Sequence, residues 1–283
     1  MFLRNAWYCA SWSHEVGRHP LGRTIMNEKI VLYRKQDGGI VALSGICPHR
    51  FAPLHHGNVQ GDAIACRYHG LQFGEGGACV VNPHDERIAS NIRVRAYPVV
   101  ERHGAAWIWM GDNAAAEPST IPDFSVHEDP GYRTFYELLP VKGNYQLVCD
   151  NLLDLSHTQF LHHMLTQTDG DERTVDLKQE GETITSIGVS RNFRRDPFAA
   201  ALWPDGPERI DSYFDLRWDA PGNMLLHISA TPVGGGKGFT VYGAQLATPE
   251  SETTTHYFWS FARDFRRDED ALDEGIRDRK SVV

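Results

Sequence analysis

Residues 46–51 read Ile-Cys-Pro-His-Arg-Phe, and residues 65–71 read Ala-Cys-Arg-Tyr-His-Gly-Leu. Together they make Cys47-x-His49, sixteen intervening residues, then Cys66-x2-His69. Each half offers one thiolate and one imidazole from a short loop, so two such loops can enclose a dinuclear centre. Two cysteines on one iron and two histidines on the other is the ligand set of a Rieske [2Fe–2S] cluster. Neutral imidazole in place of thiolate removes negative charge and raises the reduction potential, which suits a one-electron relay. The alternative is a structural zinc site with the same four ligands. Zinc knuckles usually pair Cys with Cys and His with His, whereas here both halves are mixed. The proline after Cys47 and the glycine after His69 suit tight turns.

A second constellation lies at residues 150–163, Asp-Asn-Leu-Leu-Asp-Leu-Ser-His-Thr-Gln-Phe-Leu-His-His. Asp154, His157 and His162 have the chemistry of a 2-His-1-carboxylate triad, which leaves open positions on Fe(II) for oxygen and substrate. His162 lies about 140° further round an ideal helix than His157. Both imidazoles reach one metal only if the helix ends or bulges between them. A buried helix with incidental histidines is the competing reading. His163, next to His162, points elsewhere and is set aside.

These groups need elements to carry them. Residues 6–112 read as a small β domain: runs at 30–34, 39–42, 63–66, 94–99 and 105–110 are rich in β-branched and aromatic residues, with Gly- and Asp-rich turns between. The stretch 111–123 reads as a linker, and the domain bounds taken are 1–113, a linker over 114–141, and 142–283. Residues 143–165 carry apolar residues at helical spacing, with Asn151 and Asp154 near the start. Strand-like runs return at 183–189, 213–218, 224–231, 239–247 and 253–262, and a charged tail follows that suits a helix. A sheet holding helices makes the class α+β.

With 28 Lys+Arg against 37 Asp+Glu, the net charge of −9 leaves no basic footprint for nucleic acid or an acidic membrane. No apolar run approaches the roughly 20 residues of a membrane span. The first residues do not read as a signal peptide, so the expected location is the cytoplasm. Five cysteines, an odd number, do not make a secreted disulfide framework. Cys9, Cys79 and Cys149 read as ordinary buried thiols. The run Gly234–Gly238 lacks the spacing of a phosphate loop and reads as a hairpin turn, and no Gly-x-Gly-x2-Gly follows a strand.

The motifs Cys-Pro-His-Arg-x-Ala-Pro-Leu and Cys-x-Tyr-His-Gly-Leu, in an N-terminal β domain, resemble those of the Rieske non-haem iron oxygenases. The opening Asn-Ala-Trp-Tyr and the stretch Pro-Leu-Gly-Arg-Thr-Ile are similar to the aromatic O-demethylase branch. The resemblance covers nearly the whole chain. It implies an all-β Rieske domain followed by a helix-grip catalytic domain, with cluster ligands Cys47, His49, Cys66 and His69. It assigns His157 and His162 to a mononuclear Fe(II). Asp154 it places at a subunit boundary, hydrogen-bonded to His69 of one subunit and His157 of the next, in a head-to-tail homotrimer. The third iron ligand comes from a late carboxylate; the nearest match is Asp278, with Asp268, Asp270, Asp273 and Glu274 as fallbacks. The match departs from the family, because Asp278 follows Gly-Ile-Arg almost directly where the family continues its helix. His227 and Gln245, each a polar residue within an apolar strand, are candidates to hold a substrate carboxylate or phenol; a satisfied core group is the alternative for each. Trp259 and Phe258 read as core.

The function so implied is the terminal oxygenase of a multicomponent monooxygenase. Electrons from NAD(P)H arrive through a separate ferredoxin or reductase, pass to the cluster and then across Asp154 to the iron. O2 and a small methoxylated aromatic acid yield a phenol and formaldehyde. Ring or methyl hydroxylation of another aromatic compound, and a non-catalytic electron-transfer protein, are the other readings.

Overall fold

The computed structural model describes residues 1–162 and 172–281; His163 lies outside the described residues. The chain divides into two units.

The first unit comprises Met1–Asp123, with Lys142–Asn144 and Thr248–His256. Its strands are β1 (Ala6–Trp12), β2 (Leu21–Ile25), β3 (Glu28–Arg34), β4 (Ile40–Ser44), β5 (Asn58–Gln60), β6 (Ala63–Ala65), β7 (Gln72–Phe73), β8 (Cys79–Val81), β9 (Ala96–Tyr97), β10 (Val99–Arg102) and β11 (Ala105–Met110). They form three sheets, ordered β1-β11-β10, β2-β3-β4-β9 and β5-β6-β7-β8. The middle sheet is covered on both sides. Ile30 and Leu32 of β3 pack with Tyr8 and Ile108 of the first sheet, while Val31 and Tyr33 pack with Ile64, Phe73, Cys47 and Cys66. Successive strand residues face opposite sides, so a strand between two cores has to be apolar at every position, as Ile30-Val31-Leu32-Tyr33 is.

The second unit comprises Phe124–Val141, Tyr145–Ala247 and the residues from Tyr257 on. Seven antiparallel strands follow: β12 (Arg133–Val141), β13 (Glu172–Glu180), β14 (Thr183–Arg194), β15 (Arg209–Asp219), β16 (Asn223–Pro232), β17 (Phe239–Pro249) and β18 (Thr255–Arg263), in the order β12-β18-β17-β16-β15-β14-β13. The helices are α1 (Tyr145–Leu153), α2 (Thr158–Leu161), α3 (Pro197–Leu202) and α4 (Asp270–Ser281). Val148 and Leu152 of α1, Leu202 of α3 and Ile276 of α4 share one core with Ile228, Ala230, Val241, Tyr257 and Trp259 of the sheet. One sheet face therefore bears the helices, the α+β arrangement expected.

Two stretches differ from the sequence reading. Residues 133–141, within the span taken as a linker, are an edge strand of the large sheet, and the second unit begins at Phe124. Pro140 obscures that strand in the sequence, yet an edge is where a strand tolerates proline. Strand β13 is polar along most of its length, and the side chains of residues 174–180 are exposed. A strand with no buried face leaves no alternation to detect. The Gly-rich run joins β16 to β17, with Gly234, Gly235 and Gly236 at positive φ.

Candidate metal centres

The two Cys-His loops of the first unit are built on one backbone plan. Cys47 N–H donates to the Ala52 carbonyl (2.9 Å) and Phe51 N–H to the Cys47 carbonyl (3.0 Å). In the second loop Cys66 N–H donates to Leu71 (2.8 Å) and Gly70 N–H to Cys66 (2.9 Å). Each loop thus closes with its fifth residue left-handed, Phe51 at φ 56° and Gly70 at φ 77°. The imidazole leaves the first turn two residues after its cysteine and the second turn three residues after.

This plan brings like side chains together. Cys47 and Cys66 are both buried in one apolar core, near enough for each thiol to influence the other's ionisation. Burial, and secondarily the neighbouring Cys66 thiol, hold the Cys47 thiol above its ordinary range. The rings of His49 and His69 lie 4.5 Å apart between centroids, inclined at 55°. His69 is pulled below the ordinary imidazole value by desolvation and then by the neighbouring His49, which favours the neutral ring that metal ligation needs. A thiol pair beside an imidazole pair fits a dinuclear cluster with two ligands on each iron.

In the second unit the helical stretch breaks between Leu153 and Thr158. Helix α1 ends at Leu153, Asp154 N–H bonds to the Asp150 carbonyl (3.0 Å), and a 3-10 turn, Leu155–His157, precedes the short α2. His162 follows α2 directly. The break brings the rings of His157 and His162 to 5.2 Å between centroids. Asn151 and Asp154 are exposed.

No third ligand joins these two imidazoles among the described residues. Asp278, on α4, lines a cleft of about 440 Å³ with Glu137, Leu139, Trp259, Glu274 and Arg277. Of the fallback acids, Asp273 is taken up by two guanidinium groups: Oδ1 accepts from Arg263 Nη2 (2.8 Å) and Oδ2 from Arg133 Nε (2.7 Å). Asp270 also accepts from Arg133, at 2.5 Å.

The two polar strand residues separate. Register pairs His227 with Tyr242 and Met224 with Gln245. Because side chains alternate, Gln245 shares the face of Val241 and Ile228, which bears the helices, and His227 takes the other. Gln245 is buried and accepts a hydrogen bond from the Tyr257 hydroxyl. His227 stacks on Tyr242 (4.4 Å, 11°), its Nδ1–H donates to Asp215 (2.9 Å), and the Tyr213 ring lies 5.5 Å from its own. The two residues therefore cannot line one pocket. Asp215 and His84 escape the sequence reading, since neither falls in a spaced motif. Cys9, Cys79 and Cys149 are free and buried, and Trp259 and Phe258 are buried core residues.

Residues 6–98 match the family model of the Rieske [2Fe–2S] domain, and residues 141–282 match that of the vanillate O-demethylase oxygenase C-terminal domain. The chain is 40% identical to the oxygenase component of dicamba O-demethylase from Stenotrophomonas maltophilia, over 98% of this chain and 83% of the relative. It is 35% identical to the vanillate O-demethylase oxygenase subunit of Pseudomonas sp. (strain HR199 / DSM 7063), over 98% and 81%. A crystal structure of dicamba monooxygenase with non-haem iron and dicamba superposes with a TM-score of 0.87 at 37% identity, covering 96% of this chain and 80% of the other.

Proposed function

Because this chain belongs to the Rieske oxygenases with a vanillate O-demethylase-type C-terminal domain, we propose that it is the terminal oxygenase component of a multicomponent monooxygenase that demethylates a methoxylated aromatic acid. The observation that carries this reading is the pairing of thiol with thiol and imidazole with imidazole in the first unit, together with a second imidazole pair at the α1–α2 break.

Cys47 and Cys66 hold one iron of the cluster, and His49 and His69 the other. His157 and His162 supply two sites to a mononuclear Fe(II), and Asp278 is the carboxylate offered as the third. Bound there, the cluster supplies single electrons and the iron activates O2. The chain's own work is to seat the aromatic ring, exclude water and hold the imidazoles in their metal-binding tautomers. Gln245, on the helix-bearing face, is the polar group for the substrate's carboxylate or phenol oxygen. The net reaction consumes O2, an electron pair and two protons; the methoxy carbon leaves as formaldehyde, and phenol and water remain.

Asp154, with Asn151 one turn before it, orients His157 and receives an N–H from His69 of a neighbouring subunit in a head-to-tail homotrimer. Two exposed apolar patches support such a contact. Phe51 (77% exposed) and Tyr68 (64%) flank the first imidazole pair, and Phe160 (74%) and Leu161 (70%) flank the second. Large apolar side chains grouped in the open mark surfaces that another chain covers. Electrons come from a separate ferredoxin or NAD(P)H-dependent reductase, in keeping with relatives that are named as the oxygenase component or subunit of a larger system. No helix among the described residues is long and apolar enough to cross a membrane, and we place the protein in the cytoplasm.

The test is iron analysis of anaerobically isolated protein, followed by turnover of methoxylated benzoic acids with a generic ferredoxin and reductase. Three irons per chain and formaldehyde release are expected. Two irons and no product would mean an electron carrier. A hydroxylated product without formaldehyde would mean ring or methyl hydroxylation.

A further inference from the structure

The second Cys-His turn is gripped from outside by the segment that follows β8. Asn82 Oδ1 accepts from the His84 backbone N–H (3.1 Å), which folds Asn82-Pro83-His84 into a tight bend. Pro83 then lies over Gly70 so closely that a Cβ there would come within 2.8 Å of its Cγ. Beyond it, the His84 ring reaches the His69 carbonyl oxygen at 2.9 Å through Nε2. The two rings stand 6.3 Å apart, at 73° to each other.

We infer that His84 is a positioning residue for His69. This rests on the reading of His69 as a cluster ligand. The turn's own bonds use the carbonyls of Cys66 and Leu71 and leave that of His69 to an outside donor. A carbonyl oxygen only accepts, so the His84 tautomer in this bond carries its proton on Nε2. The half-buried His69 imidazole lines a cleft of about 690 Å³ with His49, Asn82, His84 and Asn91, and its ring neighbours are His49 and the exposed Tyr68. Its direction is set by the backbone at residue 69, and that backbone is fixed at two points: Gly70 under Pro83, and the His69 carbonyl by His84. Groups outside the ligand set that orient a ligand imidazole tune the metal it binds.

The holoprotein distinguishes this role from mere packing. Three variants are compared: H84A removes ring and donor, H84F keeps a ring without a donor, and H84Q keeps a donor without a ring. The readouts are the midpoint potential of the cluster and the EPR line shape of its reduced form. H84A and H84F are expected to shift the potential and broaden the EPR lines, or to lose cluster, while H84Q retains the parental values of both. Parental potential and line shape in H84A would overturn the inference. So would a parental H84F, which would assign the effect to ring bulk, or an H84Q that fails as H84A does. A parental chain without any cluster would instead overturn the ligand assignment itself, and this inference with it.

Discussion

His227 and Gln245 sit on adjacent, hydrogen-bonded strands yet project from opposite faces of the same sheet. Only Gln245 looks toward the helices, where Val148, Leu152 and Ile276 close the core. His227 looks instead into a cluster of Tyr242, Tyr213 and Asp215.

Gln245→Leu is expected to raise KM for the aromatic acid at least tenfold, the effect of losing a hydrogen bond to a charged group of about 1.5–3 kcal/mol. His227→Ala should leave KM within a factor of two. Steady-state kinetics checks both, and equal effects on KM would mean that face parity does not define the pocket.

Cys47, His49, Cys66 or His69 to Ala should abolish the visible spectrum of the cluster. His157→Ala and His162→Ala should leave that spectrum whole while removing one iron per chain and all turnover. Metal analysis and absorbance separate the two classes, and a full cluster spectrum in any of the first four variants would remove that residue from the ligand set.

Asp154→Asn keeps the side chain's shape and loses its charge, so it cannot stabilise two imidazole N–H groups as a carboxylate does. Iron content and chemical reduction of the cluster should be normal, with re-oxidation by substrate and O2 slowed at least tenfold in rapid mixing. Loss of mononuclear iron would make Asp154 a ligand instead; normal turnover would send electrons by another route.

Asp273→Ala leaves the fully buried guanidinium of Arg263 without its carboxylate. Breaking one side of a buried pair costs about 3–5 kcal/mol. Denaturant unfolding should show a loss in that range, with α4 and its cleft the first region to gain amide exchange. A change below 1 kcal/mol would contradict the role of the pair in holding α4.

His256 is half-buried in the first unit, its Nε2–H donating to the Thr24 carbonyl (3.0 Å). Desolvation holds its pKa below the ordinary 6.5, against a smaller opposing effect of that bond. The unfolded chain therefore takes up this proton first as pH falls, so the stabilising contribution is present above about 6.5 and fades below it. His256→Gln should make the melting temperature less dependent on pH between 7.5 and 5.5; an unaltered slope would refute the assignment.

What the sequence disclosed follows from how each feature is encoded. The four Cys and His residues of the loops stand out because metal chemistry restricts both residue type and spacing, and β3 and β11 because a strand buried at nearly every position is apolar nearly throughout. The break between α1 and α2 is legible from geometry alone, since His157 and His162 cannot meet on an unbroken helix. Strand β13 shows no buried face over residues 174–180, and β12 hides behind Pro140. Face parity of His227 and Gln245 depends on register, which pairing with distant strands sets. His84 reaches His69 by folding back across β7 and β8, and no spacing rule records that.

The two Cys-His turns carry a consequence for mutational tests. Their closing hydrogen bonds run entirely between main-chain groups, and Cys47 and Cys66 are packed into the same apolar core as Val31, Ile64 and Phe73. Replacing His49 or His69 therefore removes an imidazole without removing any bond that closes its turn, so a cluster lost in those variants reports a lost ligand and not an opened loop.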